Sequence, residues 1–577
     1  MNTAHVRHGA REYFWFAIVL IVLLVGSAAH AATADDAATA SDKPPVKTSS
    51  IKKKKPTVEQ LEQRIQILAD KLEAQQQATA AALQSAASAQ QAAAAAQQSV
   101  AAAQRAAAVP AQPALSLAQP GTPSPSAPAA AAQARPQQGV TEQQAASVTT
   151  SNPQIFAGPG GFSFQSADGA DQIRFHGEFD FDGRFYDDNL TPEGSRSTWL
   201  LRRARPIVEG TFANIFDFRF NPDFAGGKTV IQDAFVAARF NPLFVLTAGK
   251  FKEPFGLERL QLSPNNRFIE LGLPSDLVPN RDLGLQVSGT YGFSTGTLIY
   301  QIGWFNGVAD GTSTDANATP DVDNNDDKDW AARIFAQPFS KTNFDALKGI
   351  GAGIAVSYVN QVGSSSNTLL PTYKTETQRN FFTYDGARTA SGGIPVAGAT
   401  YADGERLRVS PQGYYYYKSF GLLTEYVQET QQVARTVGTG AGAFTHRATL
   451  KPDSWQLLAT YSLTGDDATF GTVTPKRPFA VGQPGWGSVE LAARISELKL
   501  DSATFASASN GPAESWFADP TTQASKAIAW TVGLNWYLTQ NVAWYLDYTK
   551  TRFDGGALDG ANRPDEAAYF TRFQVAF

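Results

Sequence analysis

The chain has no cysteine, one methionine and five histidines in 577 residues. Without cysteine there is no disulfide scaffold, thiolate zinc site, iron–sulfur cluster or cysteine nucleophile. His5, His8 and His30 fall in a segment read below as a leader, which leaves His176 and His446. Two histidines are little material for imidazole acid–base chemistry or a multi-histidine metal site. The net charge of −5 gives no support to a nucleic-acid partner. A long apolar run is also missing. The longest, FWFAIVLIVLLV at 14–25, has 12 residues, whereas a spanning helix needs about 20.

Arg7 and Arg11 precede that run, and Ala29-His30-Ala31 follows it with small-x-small spacing. Residues 1–31 are expected to be a signal peptide, with the mature chain starting at Ala32; the alternative is an uncleaved anchor. A later membrane crossing must then use a β-barrel, because only helices and closed barrels satisfy every backbone group in lipid. Residues 32–57 are polar and basic, with the run Lys52-Lys-Lys-Lys55. Val58, Leu61, Ile65, Leu68 and Leu72 then step by 3 and 4, the seam of a short α-helical coiled coil. Ala82, Ala86, Ala89, Ala93 and Ala96 continue it to about residue 106. A plainer reading is an Ala-rich spacer. The lysine run suits a solvated helix entry or contact with an anionic cell-wall polymer. Residues 107–154 are rich in Ala, Pro, Gln and Ser, as in a disordered linker.

What the chain has in quantity is glycine and aromatics: 48 Gly, 37 Phe, 18 Tyr and 10 Trp. From residue 155 the pattern turns to period two. Phe175, Phe179, Phe181 and Phe185 alternate with Arg174, His176, Glu178, Asp180, Asp182 and Arg184. The same alternation recurs at 216–224, 489–496, 528–538 and 542–548. Alternate strand residues face opposite sides of a sheet. Runs of charge on one side suit a water-filled lumen, and Trp and Tyr near strand ends suit an interfacial girdle. Sixteen such segments between 173 and 577 predict an all-β fold, a transmembrane antiparallel β-barrel over 155–577. Tight and long connections alternate by parity, except for a long one at 466–485 on the tight side. A barrel of that size leaves an aqueous channel.

Several ordered stretches resemble the phosphate-selective porin O and P family of Gram-negative outer membranes. They include Leu201-Arg-Arg-Ala-Arg205, Gly249-Lys-Phe-Lys-Glu-Pro-Phe-Gly-Leu-Glu258, Phe268-Ile-Glu270, Asn280-Arg-Asp-Leu-Gly284, Ser410-Pro-Gln-Gly-Tyr-Tyr-Tyr-Tyr417, Tyr461-Ser-Leu-Thr-Gly465, and Trp486-Gly487 through Glu490 and Arg494. The resemblance implies an outer-membrane homotrimer passing anions, above all phosphate or polyphosphate, with the N-terminal segment in the periplasm. Lipid and lipopolysaccharide would surround it, and no cofactor or metal is implied.

Arginine suits phosphate oxygens, having five fixed donors and a permanent charge. Arg203 and Arg205 share one strand face with Glu209; Arg202 needs a bulge to join them. Lys250 and Lys252 share a face on the strand entering 253–282, the loop that in porins often narrows the lumen. That loop carries Arg259, Ser263, Arg267 and Arg281. The family pattern has a basic residue, neighbouring serines and a further arginine there. Here the pair is Leu262-Ser263, the expected arginine is Leu271, and Arg205 replaces a frequent aromatic. The constriction is therefore expected to suit another anion or to select weakly. Each basic residue also admits an ordinary luminal ion pair, with Glu178, Asp217 and Asp233 as partners.

Enzyme readings fail. Gly292-Phe-Ser-Thr-Gly296 lacks the helix that a nucleophile elbow requires and reads as a hairpin turn. Asp321-Val-Asp-Asn-Asn-Asp-Asp327 lacks the glycine and terminal glutamate of a calcium loop. The competing readings are a general or cation-preferring porin, and a structural barrel tethered to the cell wall by its coil.

Overall fold

The computed structural model describes residues 153–187, 196–227, 229–307, 326–389 and 395–577. The expected leader, coil and linker, and the acidic residues Asp321 and Asp323, lie outside the described residues. Sixteen antiparallel strands form the wall. They are β1 (Gln172–Tyr186), β2 (Thr198–Phe212), β3 (Phe216–Asp223), β4 (Val230–Asn241), β5 (Phe244–Lys252), β6 (Arg281–Gly292), β7 (Thr297–Phe305) and β8 (Asp329–Gln337). They continue as β9 (Ile350–Val362), β10 (Tyr401–Tyr417), β11 (Phe420–Val437), β12 (Asp453–Ser462), β13 (Ser488–Lys499), β14 (Ala524–Tyr537), β15 (Val542–Gly555) and β16 (Glu566–Ala576). Each pairs with its sequence neighbours, and β16 closes on β1 through Phe573↔Phe181 and Val575↔Phe179. Closure removes both sheet edges. A hairpin of Gln154–Gly158 and Gly161–Gln165 extends the wall beside the start of β1.

The polarity of the wall is inverted relative to a water-soluble protein. Phe175, Phe179, Phe181 and Phe185 are exposed, while Glu178, Asp180 and Asp182 are buried. On β13, Leu491 and Ile495 face outward, and Arg494 and Ser496 are buried. The largest fully buried side chains begin with Arg406, Arg408 and Arg435. An apolar outside around a polar inside is the pattern that lipid imposes on a barrel. Small outward positions accept neighbouring rings: a Cβ on Gly183 would lie 2.5 Å from the Trp199 ring, which stacks on Phe181.

Tight turns join one end of the barrel. Ala213 and Asn214 both have positive φ, the pattern of a type I′ hairpin turn, and Phe293 N donates to Gly296 O at 3.0 Å in the hairpin expected there. In barrels of this kind the tight-turn end faces the periplasm. The long connections do more than cover the other end. The largest apolar cluster unites Phe255, Leu273, Leu277 and Val278 with Tyr373, Phe381, Phe382 and Tyr384 and with Phe517. These belong to the connections after β5, β9 and β13. They pack on inward residues Val427, Leu498, Ala527, Ala529 and Phe553. An apolar core thus lies within a polar lumen.

Candidate functional site

Residues 253–280 fold as three short helical turns, Leu257–Leu260, Ser263–Asn265 and Leu273–Asp276, joined by extended chain. So short a helix cannot satisfy its own backbone. Luminal side chains of the opposite wall do so instead. Glu425 accepts from Leu257 N at 2.7 Å, and Asp547 accepts from Ile269 N at 2.7 Å. Gln412 donates to Phe255 O at 3.0 Å, and Asn535 to Arg267 O at 2.9 Å. The connection 463–487 approaches from the tight-turn end. Thr472 donates to Asn265 at 2.9 Å, Gln261 donates to Phe470 O at 2.7 Å, and Phe470 stacks on Tyr414. The exception in the turn parity is therefore an inserted segment.

The ladder between β1 and β2 slips between Asp180↔Arg203 and Phe181↔Leu201. This bulge turns both Arg202 and Arg203 inward, and both are buried. Arg203 bonds Asp180 at 2.7 Å and lies 3.7 Å from Glu178. Arg205 pairs with Asp223 at 2.7 Å and Glu178 at 3.2 Å, and donates to Ser263 at 3.1 Å. Ser263 in turn donates to Glu178 at 2.7 Å. Arg202 and Arg184 both reach Glu270. Burial alone would push the Glu270 carboxyl up, but the surrounding guanidinium groups, Arg202 and Arg184 first and then Arg572 and Arg203, outweigh it and hold it down at about 2.

Arg281 pairs with Asp233 at 2.8 Å, and Arg219 bridges Asp233 and Glu209 at 3.5 and 2.7 Å. Glu209 also meets His176 at 3.1 Å. Lys252 donates to the carbonyls of Arg259 and Gln261, each at 2.6 Å, and Arg259 donates to Ser275 O at 2.7 Å. Lys250 is buried on the ladder between Ala234 and Leu283, apart from the cavity that Lys252 lines. Arg267 lies 3.4 Å from Glu490 and donates to backbone carbonyls of Asn265, Thr469 and Gly471. The other histidine among the described residues, His446, stacks on Phe517 in the connection after β13.

Two spaces meet at Lys252, Ser263 and Arg281. A cavity of about 600 Å³ runs from these residues past Arg205, Glu209, Arg219 and Asp233 to Gln540, Asn541 and Phe577 at the tight-turn end. Beyond lies a gap of about 20 Å³ lined by Arg203, Lys252, Arg259 and Arg281, by the polar Gln261, Ser263 and Asn266, and by Ile269, Glu270 and Leu271. Four cations face one carboxylate there. Sequence reasoning did not single out Arg184, Arg219 or Glu270 as functional. Their alternation with outward phenylalanines on β1 and β3 was the available signal for the two arginines.

A closed barrel of sixteen strands, apolar outside, with a polar lumen entered by a connecting segment, defines an outer-membrane porin barrel. A model of the phosphate-selective porin O and P family matches residues 172–577, and the chain belongs to that family. It is a channel-forming protein of the Gram-negative outer membrane. Similar solved structures include a loop L8 deletion mutant of OmpT, an outer membrane protein of Vibrio cholerae: 12% identity, covering 71% of this chain and 100% of that one, TM-score 0.40. The outer membrane channel DcaP of Acinetobacter baumannii shares 10% identity over 72% of this chain and 99% of that one, TM-score 0.41. No curated protein matches the chain.

Proposed function

We propose that this protein is a passive channel selecting anions, with phosphate or polyphosphate as the favoured solute, and that residues 253–280 narrow its lumen. The observation that carries this reading is the gap where Arg203, Lys252, Arg259 and Arg281 face a single carboxylate, Glu270. A conducting site must attract its solute without holding it. Here every one of these cations already has a protein partner, so an incoming anion exchanges bonds instead of meeting bare charge. Neighbouring Ser263, Gln261 and Asn266 supply neutral donors at the same point. Leu271 occupies the place where the family pattern has an arginine, which favours moderate affinity. The family resemblance adds a homotrimer as the working assembly.

The test is single-channel current in a planar bilayer. Under a potassium chloride gradient the reversal potential should report anion preference, and added phosphate should reduce the chloride current. The double variant Lys252→Gln/Arg281→Gln should weaken both effects. Cation preference, or indifference to phosphate, would overturn the reading in favour of a general porin.

A further inference from the structure

Arg494 lies on β13, on the wall that receives residues 253–280, and is not among the residues that line the gap. Its guanidinium is buried and engages two of the connections that enter the lumen, those after β5 and β9. One nitrogen pairs with Glu258 at 2.9 Å. The other pairs with Glu376, in the connection after β9, at 2.8 Å and donates to Glu270 O at 3.0 Å. Its face lies 4.5 Å from the centre of the Phe268 ring. Both carboxylates are themselves tied down: Glu258 accepts from Gly272 N and Gln456, each at 2.9 Å, and Glu376 accepts from Ser496 at 2.6 Å and from Thr531. Gly272 approaches so closely that a Cβ there would meet Gln456 at 2.1 Å and Arg494 at 3.4 Å.

We infer that Arg494 is the positioning residue of the channel: one guanidinium that clamps the connections after β5 and β9 to the wall and so sets the width of the gap. Only a planar fork can serve two carboxylates and a carbonyl in its plane while a ring covers its face. Lysine keeps the charge but presents one flexible point. Without the guanidinium, Glu258 and Glu376 become like charges in a low-dielectric site, with Glu425 and Asp547 also on the surrounding wall, and repulsion drives the segments off it. The gap itself lies on the other side of residues 253–280, so the effect reaches the solute only through the displaced segment.

This inference rests on the narrowing of the lumen proposed above, but not on the sign of its selectivity. The experiment measures conductance and ion preference separately, on the full chain in planar bilayers. Arg494→Gln should raise single-channel conductance by about twofold or more and bring the ion preference closer to that of bulk solution. Arg494→Lys should fall between it and the parent. If Arg494→Gln fails to fold, Glu258→Gln and Glu376→Gln answer the question. Each removes one tie, and the pair should widen the channel more than either alone. Parental conductance in Arg494→Lys together with parental conductance in the Glu258→Gln/Glu376→Gln double variant would overturn the clamp. A cation-preferring parent that still widens on Arg494→Gln would sink the phosphate reading and leave the clamp standing.

Discussion

Leu271 and Asp276 show how single side chains tune the inserted segment. Leu271 lines the gap beside four cations and is the one aliphatic side chain there besides Ile269. Leu271→Arg adds a charge and a fork of donors at this gap. Phosphate should then block chloride current at concentrations lower by about tenfold, the equivalent of ~1.4 kcal/mol; a blocking curve that does not move would argue that the solute passes elsewhere. Asp276 makes a different case. It is buried under the apolar cluster, accepts from Lys374 N at 3.1 Å, and burial pushes its carboxyl up to about 8. A carboxyl raised in the folded state stabilises fully below its unfolded value near 3.8, and that contribution is lost as pH rises through about 8. Asp276→Asn keeps an acceptor and removes the charge. The variant should be more heat-stable than the parent at pH 9, on the order of 1–3 kcal/mol, and gain nothing at pH 4, as thermal melts followed by circular dichroism would show. Glu270 works in the opposite sense. Its carboxyl is held at about 2, so its stabilising pairs persist above about pH 4.5 and fail only as pH falls toward 2.

Among the elements, the connection at 463–487 has the least usual placement. It joins β12 to β13 at the tight-turn end, yet Phe470 and Thr472 reach the underside of residues 253–280. Val473 packs beside Ile269, Tyr537 and Tyr545. Replacing residues 468–474 by a short Gly-Ser turn removes this support without touching the wall ladder. The barrel should still form, with its β-sheet circular dichroism unchanged. Channel current should grow noisier and larger, because Gln261 and Arg267 lose carbonyl partners. An unaltered current trace would mean that residues 253–280 are held from the wall alone. The length of this connection was legible in the sequence as a break in parity; its inward course was not. The long connections after β9 and β13 obey the parity, yet they carry Tyr373, Phe381, Phe382 and Phe517 into the lumen. The hint was at the receiving positions. Ala527 and Ala529 on β14 are small, fully buried inward residues where a wet lumen would favour polar ones.

For the whole molecule, stability comes from closure and from a lumen filled with paired charge. Arg572 on β16 pairs with Asp182 on β1 at 2.7 Å across the seam where the first and last strands meet. Breaking a buried pair on one side leaves an uncompensated charge, typically at a cost of about 3–5 kcal/mol. The segment before the barrel is separable in principle. A chain lacking residues 32–154 should retain ion preference and phosphate block in bilayers if that segment only tethers, and loss of the block in a correctly folded barrel would instead tie it to conduction.

Alternation of side chains along a strand is local, a consequence of backbone geometry, so sixteen strands, their inward faces and most of their turns could be read directly from the amino-acid sequence. Arg203, Arg205 and Glu209 were legible as sharing one strand face for the same reason, whereas Arg281, expected in the loop 253–282, opens β6. The inward turn of Arg202 required the register slip against β1, which pairing alone reveals. The partners of residues 253–280 could not be read at all. Leu257 meets Glu425 across 168 positions, and Ile269 meets Asp547 across 278. Only closure of the barrel brings those positions within reach, and unsatisfied backbone groups in a dry interior then select them. The tertiary structure therefore decided which connections enter the lumen and which cations remain beside the gap.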